Sequence, residues 1–329
     1  MKPFTPRDIP GRNCIQMSME NILFYMNYEL PVYKQLSLTY AFNSKDLGRF
    51  YSGFFTLKEE MKWINNINIQ VKQANDSLIF ISSVKELLNE KIPVVIFVNP
   101  FVLKYSTNYQ RRNVPHTITL VGYEGDTFKI IDDAQNFQGD IFLDELLEAI
   151  SKAKHKYRYL YFPKEQVFKD IGEQHILDVI KKNTTSLKGN LDQINPDIPI
   201  ELQTINGIKS IDKFIEDSNL FLDKIYEHEN KNFFLDEIYR GIYGVSNQHF
   251  IYSEFLSKTS HLTSMVVSEI TNLLNVLSQE WKIVAIMFMK SRYRMSKNFN
   301  ESLIRKMEEI KCLEEELVQK SEKLLFQYV

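Results

Sequence analysis

Cysteine is scarce: only Cys14 and Cys312 occur in 329 residues, and they lie far apart. A disulfide framework needs more cysteines in a shorter chain, so a reducing cytoplasm is the expected setting. The opening stretch MKPFTPRDIPGRNC lacks the apolar core of a signal peptide. No segment approaches the roughly 18 uncharged apolar residues of a bilayer-spanning helix. The longest apolar run, around Ile283 to Met289, is too short. An excess of one charge is also missing. With 40 Lys and Arg against 42 Asp and Glu, the formal net charge is −2 and no long single-sign block occurs. That argues against nucleic acid or a membrane surface as the main partner. The histidines match neither H-E-x-x-H nor a paired Cys/His pattern, so no structural zinc is expected. G-x-x-x-x-G-K-[ST] and G-x-G-x-x-G are both absent, which leaves a nucleotide cofactor unsupported.

What is present divides into two textures. The length suits two domains, and 44% hydrophobic with 25% charged residues suits globular ones. Up to about residue 165, short helical and strand-like segments alternate. Residues 14–27 read as a helix with Ile15, Met19, Ile22, Leu23 and Met26 in its buried stripe, and 57–66 and 82–90 are further helix candidates. Segments 92–98, 117–123, 127–131 and 157–162 are dense in β-branched and aromatic residues and read as strands. Glu124-Gly125-Asp126 supplies a tight hairpin turn between two of them. From 166 to 329 strand signals nearly vanish. Residues 258–292 carry Leu262, Val266, Ile270, Leu273, Leu277, Trp281, Val284 and Phe288 at three- and four-residue steps. Residues 300–326 repeat this with Leu303, Met307, Ile310, Leu313, Leu317 and Leu324. Shorter helices are expected at 166–182, 208–228 and 232–240, and 190–199 reads as a loop. The expectation is an α+β domain over 1–165 and an all-α domain over 166–329. The long amphipathic faces would bury themselves on the first domain or across a homo-oligomer interface.

Cys14 opens the first helix. Unpaired N–H groups and the positive end of the macrodipole favour a thiolate there. His116 begins the strand that leads into the hairpin, and Asp132 and Asp133 end the returning strand. The outer ends of a hairpin lie side by side, so one of these carboxylates should meet His116, fix its tautomer and stabilise the imidazolium. Counting back from the turn sets residue 132 nearly opposite 116. Side chains alternate, so only one of the two acids can face the histidine. Asp132 shares its face with Phe128 and Ile130, Asp133 with Lys129 and Ile131. The first face is the more apolar, which favours Asp132. The loop ahead of His116 holds Tyr105 and Tyr109, candidates for lining a substrate channel, which the resemblance described next would make an acyl channel. It also holds Arg111 and Arg112, candidates for meeting a phosphate or an acidic protein face. Cys312, on a charged helix, is read as incidental.

The order of these pieces carries a resemblance over residues 10–165. Gly11-Arg12-Asn13-Cys14, Asn21-Ile22-Leu23, Pro93-Val94-Val95-Ile96, Tyr105, His116, Gly122-Tyr123 and Asp132 resemble the papain-like fold in its bacteriocin-leader-peptidase variant. Within that group the pattern is similar to the N-terminal domain of butirosin biosynthesis protein H. The resemblance implies a papain-like catalytic domain followed by a helical one. It implies Cys14 as nucleophile, His116 as base and Asp132 as orienting acid, with Asp133 as the fallback. The implied activity is amide-forming acyl transfer in secondary-metabolite biosynthesis, and the resemblance extends to polythioamide (closthioamide-type) amide synthetases. The donor would be an acyl or peptidyl carrier protein bearing phosphopantetheine, the acceptor a small amine, and the enzyme would need no cofactor of its own. A papain-like peptidase or amidase and a catalytically inactive binding module are the alternatives. Papain-like enzymes place a Gln shortly before the cysteine to hold the oxyanion, whereas here the stretch reads Thr5-Pro6-Arg7-Asp8-Ile9. The Cys14 N–H and the Asn13 side chain are the substitute donors.

Overall fold

The computed structural model describes residues 5–6, 12–28, 38–43, 48–52, 58, 61–62, 67–165, 172–189, 205–259, 265–293 and 298–328. The chain divides into two compact units. One comprises 1–34 with 61–169, and the other 35–60 with 170–329. Residues 35–60, expected within the first domain, thus group with the helical half.

The first unit is built on a six-stranded antiparallel sheet of order β3-β8-β4-β5-β6-β7. Its strands are β3 (Gln70–Gln73), β4 (Val94–Val98), β5 (His116–Glu124), β6 (Thr127–Asp132), β7 (Phe137–Phe142) and β8 (Arg158–Tyr161). Central β4, Val94-Val95-Ile96-Phe97-Val98, is buried along nearly its whole length, as a β-branched run between two neighbours should be. Helices α2 (Ser77–Asn89) and α3 (Leu143–Ser151) cover one face. There Phe80, Val84 and Leu88 of α2 and Leu146, Ala149 and Ile150 of α3 share a core with Val94, Ile96, Ile118, Leu120, Phe128 and Ile130. The alternating residues Val95, Thr117, Thr119 and Ile131 are buried as well. They lie on the other side of the sheet, where helix α1 (Cys14–Tyr25) packs on β5 and β4. The helix candidate at 57–66 falls largely outside the described residues, although 58, 61 and 62 are helical.

The second unit holds a hairpin and five helices among its described residues. The hairpin joins β1 (Tyr40–Asn43) to β2 (Arg49–Ser52). The helices are α4 (Glu173–Leu187), α5 (Ile208–Glu227), α6 (Lys231–Thr259), α7 (Met265–Ser291) and α8 (Phe299–Gln327). The expected all-α domain therefore contains a β-hairpin. Phe42 and Phe50 of that hairpin pack against Phe214, Phe221 and Trp281 from the helices. The segment expected as one helix over 258–292 is divided: 258 and 259 end α6, and α7 begins at Met265. The candidate loop at 190–199 lies outside the described residues.

Candidate active site

Cys14 occupies the first turn of α1, and the sequence around it explains why a helix starts there. Asn13 is extended and caps the helix: its Oδ1 accepts from Gln16 N–H at 3.1 Å. Gln16 Oε1 in turn accepts from Asn13 N–H at 2.8 Å, completing a reciprocal cap. The cap commits the oxygen end of the Asn13 amide to the helix. Asn13 is exposed, so only its NH2 end is left for an oxyanion. The Cys14 N–H stands in the first turn, where a helix supplies no acceptor of its own. The thiol itself is half-buried and is a free cysteine.

His116 and Asp132 meet at the rim of the sheet, with His116 Nε2 2.7 Å from Asp132 Oδ2. The histidine is buried and the carboxylate fully so. Gly125 (φ +57°) and Asp126 form the two-residue turn between the paired residues Glu124 and Thr127. Continued without interruption, that turn would set Asp132 opposite Thr119. Asp132 would then point away from His116, and Asp133 would take its place. The chain instead carries a β-bulge between Leu120 and Gly122, which inserts Val121. Thr119 now pairs with Ile131 and Leu120 with Ile130. Carried one step further, this register sets Asp132 across from Ile118, diagonal to His116 and on its face. The expectation that Asp132 lies nearly opposite His116 is thus corrected to a diagonal contact, and the bulge decides which acid makes it.

The His116 ring also hydrogen-bonds the Cys14 thiol. With Nε2 facing the carboxylate, Nδ1 is the nitrogen left for sulfur. Burial by itself would push the thiol up and the imidazole down. Both move the other way. At Cys14 the hydrogen bond and charge of His116, with a smaller contribution from the neighbouring Thr117, outweigh burial and lower the thiol below its ordinary value. At His116 the bonds to Asp132 and Cys14, with their charges, outweigh burial and raise the imidazole to about 10. Each group thus favours the charged form of the other, which is the direction of a thiolate–imidazolium pair.

Asp132 accepts two more hydrogen bonds, from the Tyr105 hydroxyl to Oδ2 at 3.2 Å and from Gln135 N–H to Oδ1 at 3.2 Å. Tyr105 therefore stands behind the acid. Burial and the charge of Asp132 raise its phenol far above its ordinary range. Tyr109 is half-buried and its hydroxyl accepts from Gln110 Nε2 at 3.1 Å. Arg111 and Arg112 are exposed on the same loop. Asp133 is buried too, and its Oδ1 accepts from Asn21 Nδ2 at 2.7 Å. The two adjacent acids thus serve opposite sides of the strand: Asp132 holds the histidine, and Asp133 holds the helix that carries the cysteine. Asn21 and Thr117 escaped the sequence reading as site residues. Asn21 lies two helical turns beyond Cys14, a spacing that sets both on one side of α1. Thr117 follows His116 directly. Cys312 is exposed on α8.

No model of a known protein family matches the chain, and no curated protein matches it either.

Proposed function

We propose that the protein is a cysteine-dependent acyltransferase that forms amides by aminolysis of a carrier-protein thioester, on a papain-like catalytic domain. The hydrogen-bonded series Cys14–His116–Asp132 at a helix N-terminus carries this reading. In the first step the Cys14 thiolate attacks the thioester carbonyl. The Cys14 N–H, in the first turn of α1, is the donor available to the oxyanion. The tetrahedral intermediate collapses, the bond to the phosphopantetheine sulfur breaks, and the His116 imidazolium protonates the departing thiolate. In the second step the now neutral His116 takes a proton from the amine as its nitrogen attacks the acyl-enzyme. The C–S bond to Cys14 breaks, restoring thiolate and imidazolium, and an amide is released. Asp132 keeps the ring in the tautomer and orientation both steps require. Arg111 and Arg112, exposed on the loop that leads into His116, suit the phosphate of the carrier arm or the acidic face of a carrier.

The experiment is incubation of the protein with an acyl-carrier thioester, with and without a panel of small amines, and identification of the products by mass. Amide in preference to free acid supports acyl transfer. Free acid alone, whatever amine is present, makes the protein a hydrolase using the same residues. No turnover together with an unreactive Cys14 leaves a binding module.

A further inference from the structure

Tyr105 entered the sequence reading as a channel residue, yet its hydroxyl is turned towards the catalytic acid. It donates to Asp132 Oδ2, the same oxygen that His116 Nε2 engages. The ring is held flat on Phe137, with centroids 3.9 Å apart and planes within 5°. Phe137 is the cross-strand partner of Asp132 in the pairing of β6 with β7. One residue pair on the sheet therefore supplies both the carboxylate and the platform that aims the hydroxyl at it. A second tie lies two residues on, where the Thr107 N–H and hydroxyl both donate to Gln135 Oε1, at 3.1 and 2.9 Å. Gln135 N–H donates to Asp132 Oδ1. The loop is thus fastened to both oxygens of Asp132, to one directly and to the other through Gln135.

We propose that Tyr105 is a positioning residue: its hydroxyl fixes the Asp132 carboxylate and takes a share of its charge, which limits how strongly Asp132 holds the proton on His116. This deepens the proposed reading of the site and rests on it for any catalytic consequence. An oxygen with two donors divides its electrostatic attraction between them. Without the hydroxyl, Oδ2 serves His116 alone. The imidazolium is then held more tightly and is the poorer at surrendering its proton to a leaving group. Among the described residues, Cys14 from α1 and Asp132 from β6 are the titratable groups acting on His116. Asp132 and, more remotely, Glu145 of α3 are those acting on Tyr105.

The test is the titration of His116 by NMR in full-length protein labelled at histidine, its signal assigned with His116→Gln, beside Tyr105→Phe and Phe137→Leu. Tyr105→Phe keeps the ring on Phe137 and removes only the hydroxyl. The His116 transition should rise by at least about 0.5 pH unit, a threefold change in proton affinity. Phe137→Leu keeps the hydroxyl but loosens its platform, and should move the transition in the same direction by less. A merely structural role would lower the melting temperature and leave the transition in place. An unmoved or lowered transition in folded Tyr105→Phe overturns the proposal. The readout needs no acyl donor, so a failure of acyl transfer is distinguishable from a failure of this inference.

Discussion

At the scale of single residues, the proposed chemistry rests on two opposed shifts that burial alone would reverse. The raised His116 and the lowered Cys14 define a pH window with the pair charged throughout. As pH falls, the thiolate gains a proton at the lowered Cys14 transition, and reactivity with iodoacetamide is lost there. As pH rises through about 10, His116 loses its proton. Alkylation should persist above that point, whereas the proposed acyl transfer should fall because no acid remains for the leaving group. In His116→Ala, burial is left without its strongest counterweight, so the Cys14 alkylation midpoint should move upward. A midpoint unchanged in that variant would remove the histidine from thiolate activation. The two acids separate in the same way. Asp132→Asn should lower turnover by at least about 10²-fold, in line with the loss of an orienting acid. Asp133→Asn retains an acceptor for Asn21 and should stay within about threefold. The reverse ranking would assign the orienting role to Asp133.

At the scale of elements, the helix starting at Cys14 and the four strands at 92–98, 117–123, 127–131 and 157–162 were legible, each as a dense or periodic apolar pattern. The strands that escaped detection have physical reasons for doing so. Edge strand β3 reads Gln-Val-Lys-Gln, with no apolar run to mark it, and β7 is interrupted by Gly139 and Asp140. The Val121 bulge left no composition signal, although it determines which acid faces His116. Helix α6 runs far beyond the expected 232–240, straight through Gly241 and Gly244. At Gly241 an added Cβ would collide with the Phe50 carbonyl oxygen, so the glycine allows close contact between helix and hairpin. In α8 the expected stripe put Leu313 inward, but Leu313 is half-buried and Glu314 is fully buried. Glu314 Oε1 accepts from Trp281 Nε1 at 3.0 Å and lies 2.9 Å from His249 Nε2. A strict apolar repeat cannot reveal a buried pair of this kind. Glu314→Leu leaves His249 and Trp281 facing an apolar group. It should cost on the order of 3 kcal/mol and lower Tm by roughly 5–10 °C, measured calorimetrically. An unchanged Tm would mean that the pair contributes nothing to stability.

At the scale of the whole molecule, the chain divides into two units whose residues are interleaved along the sequence. The β1–β2 hairpin lies early in the chain and still finds its aromatic partners among helices more than 150 residues later, which local patterns cannot convey. A fragment of residues 1–165 would therefore expose Phe42 and Phe50. It should aggregate or bind a hydrophobic dye far more strongly than the full chain, and a soluble fragment with the dye response of the full chain would contradict this. Among the described residues no helix is long and apolar enough to cross a membrane. The central claim remains that Cys14 is a nucleophile made ready by His116 and Asp132, and one measurement reaches it directly. Full-length protein, its Cys14→Ala variant and its Cys312→Ala variant are each mixed with an acyl-carrier thioester, quenched in acid, digested and weighed peptide by peptide. A single acyl mass on the Cys14 peptide, retained in Cys312→Ala and absent from Cys14→Ala, is the expected result. An acyl mass that persists in Cys14→Ala, or none in the unaltered protein under conditions where thioester is consumed, would contradict it.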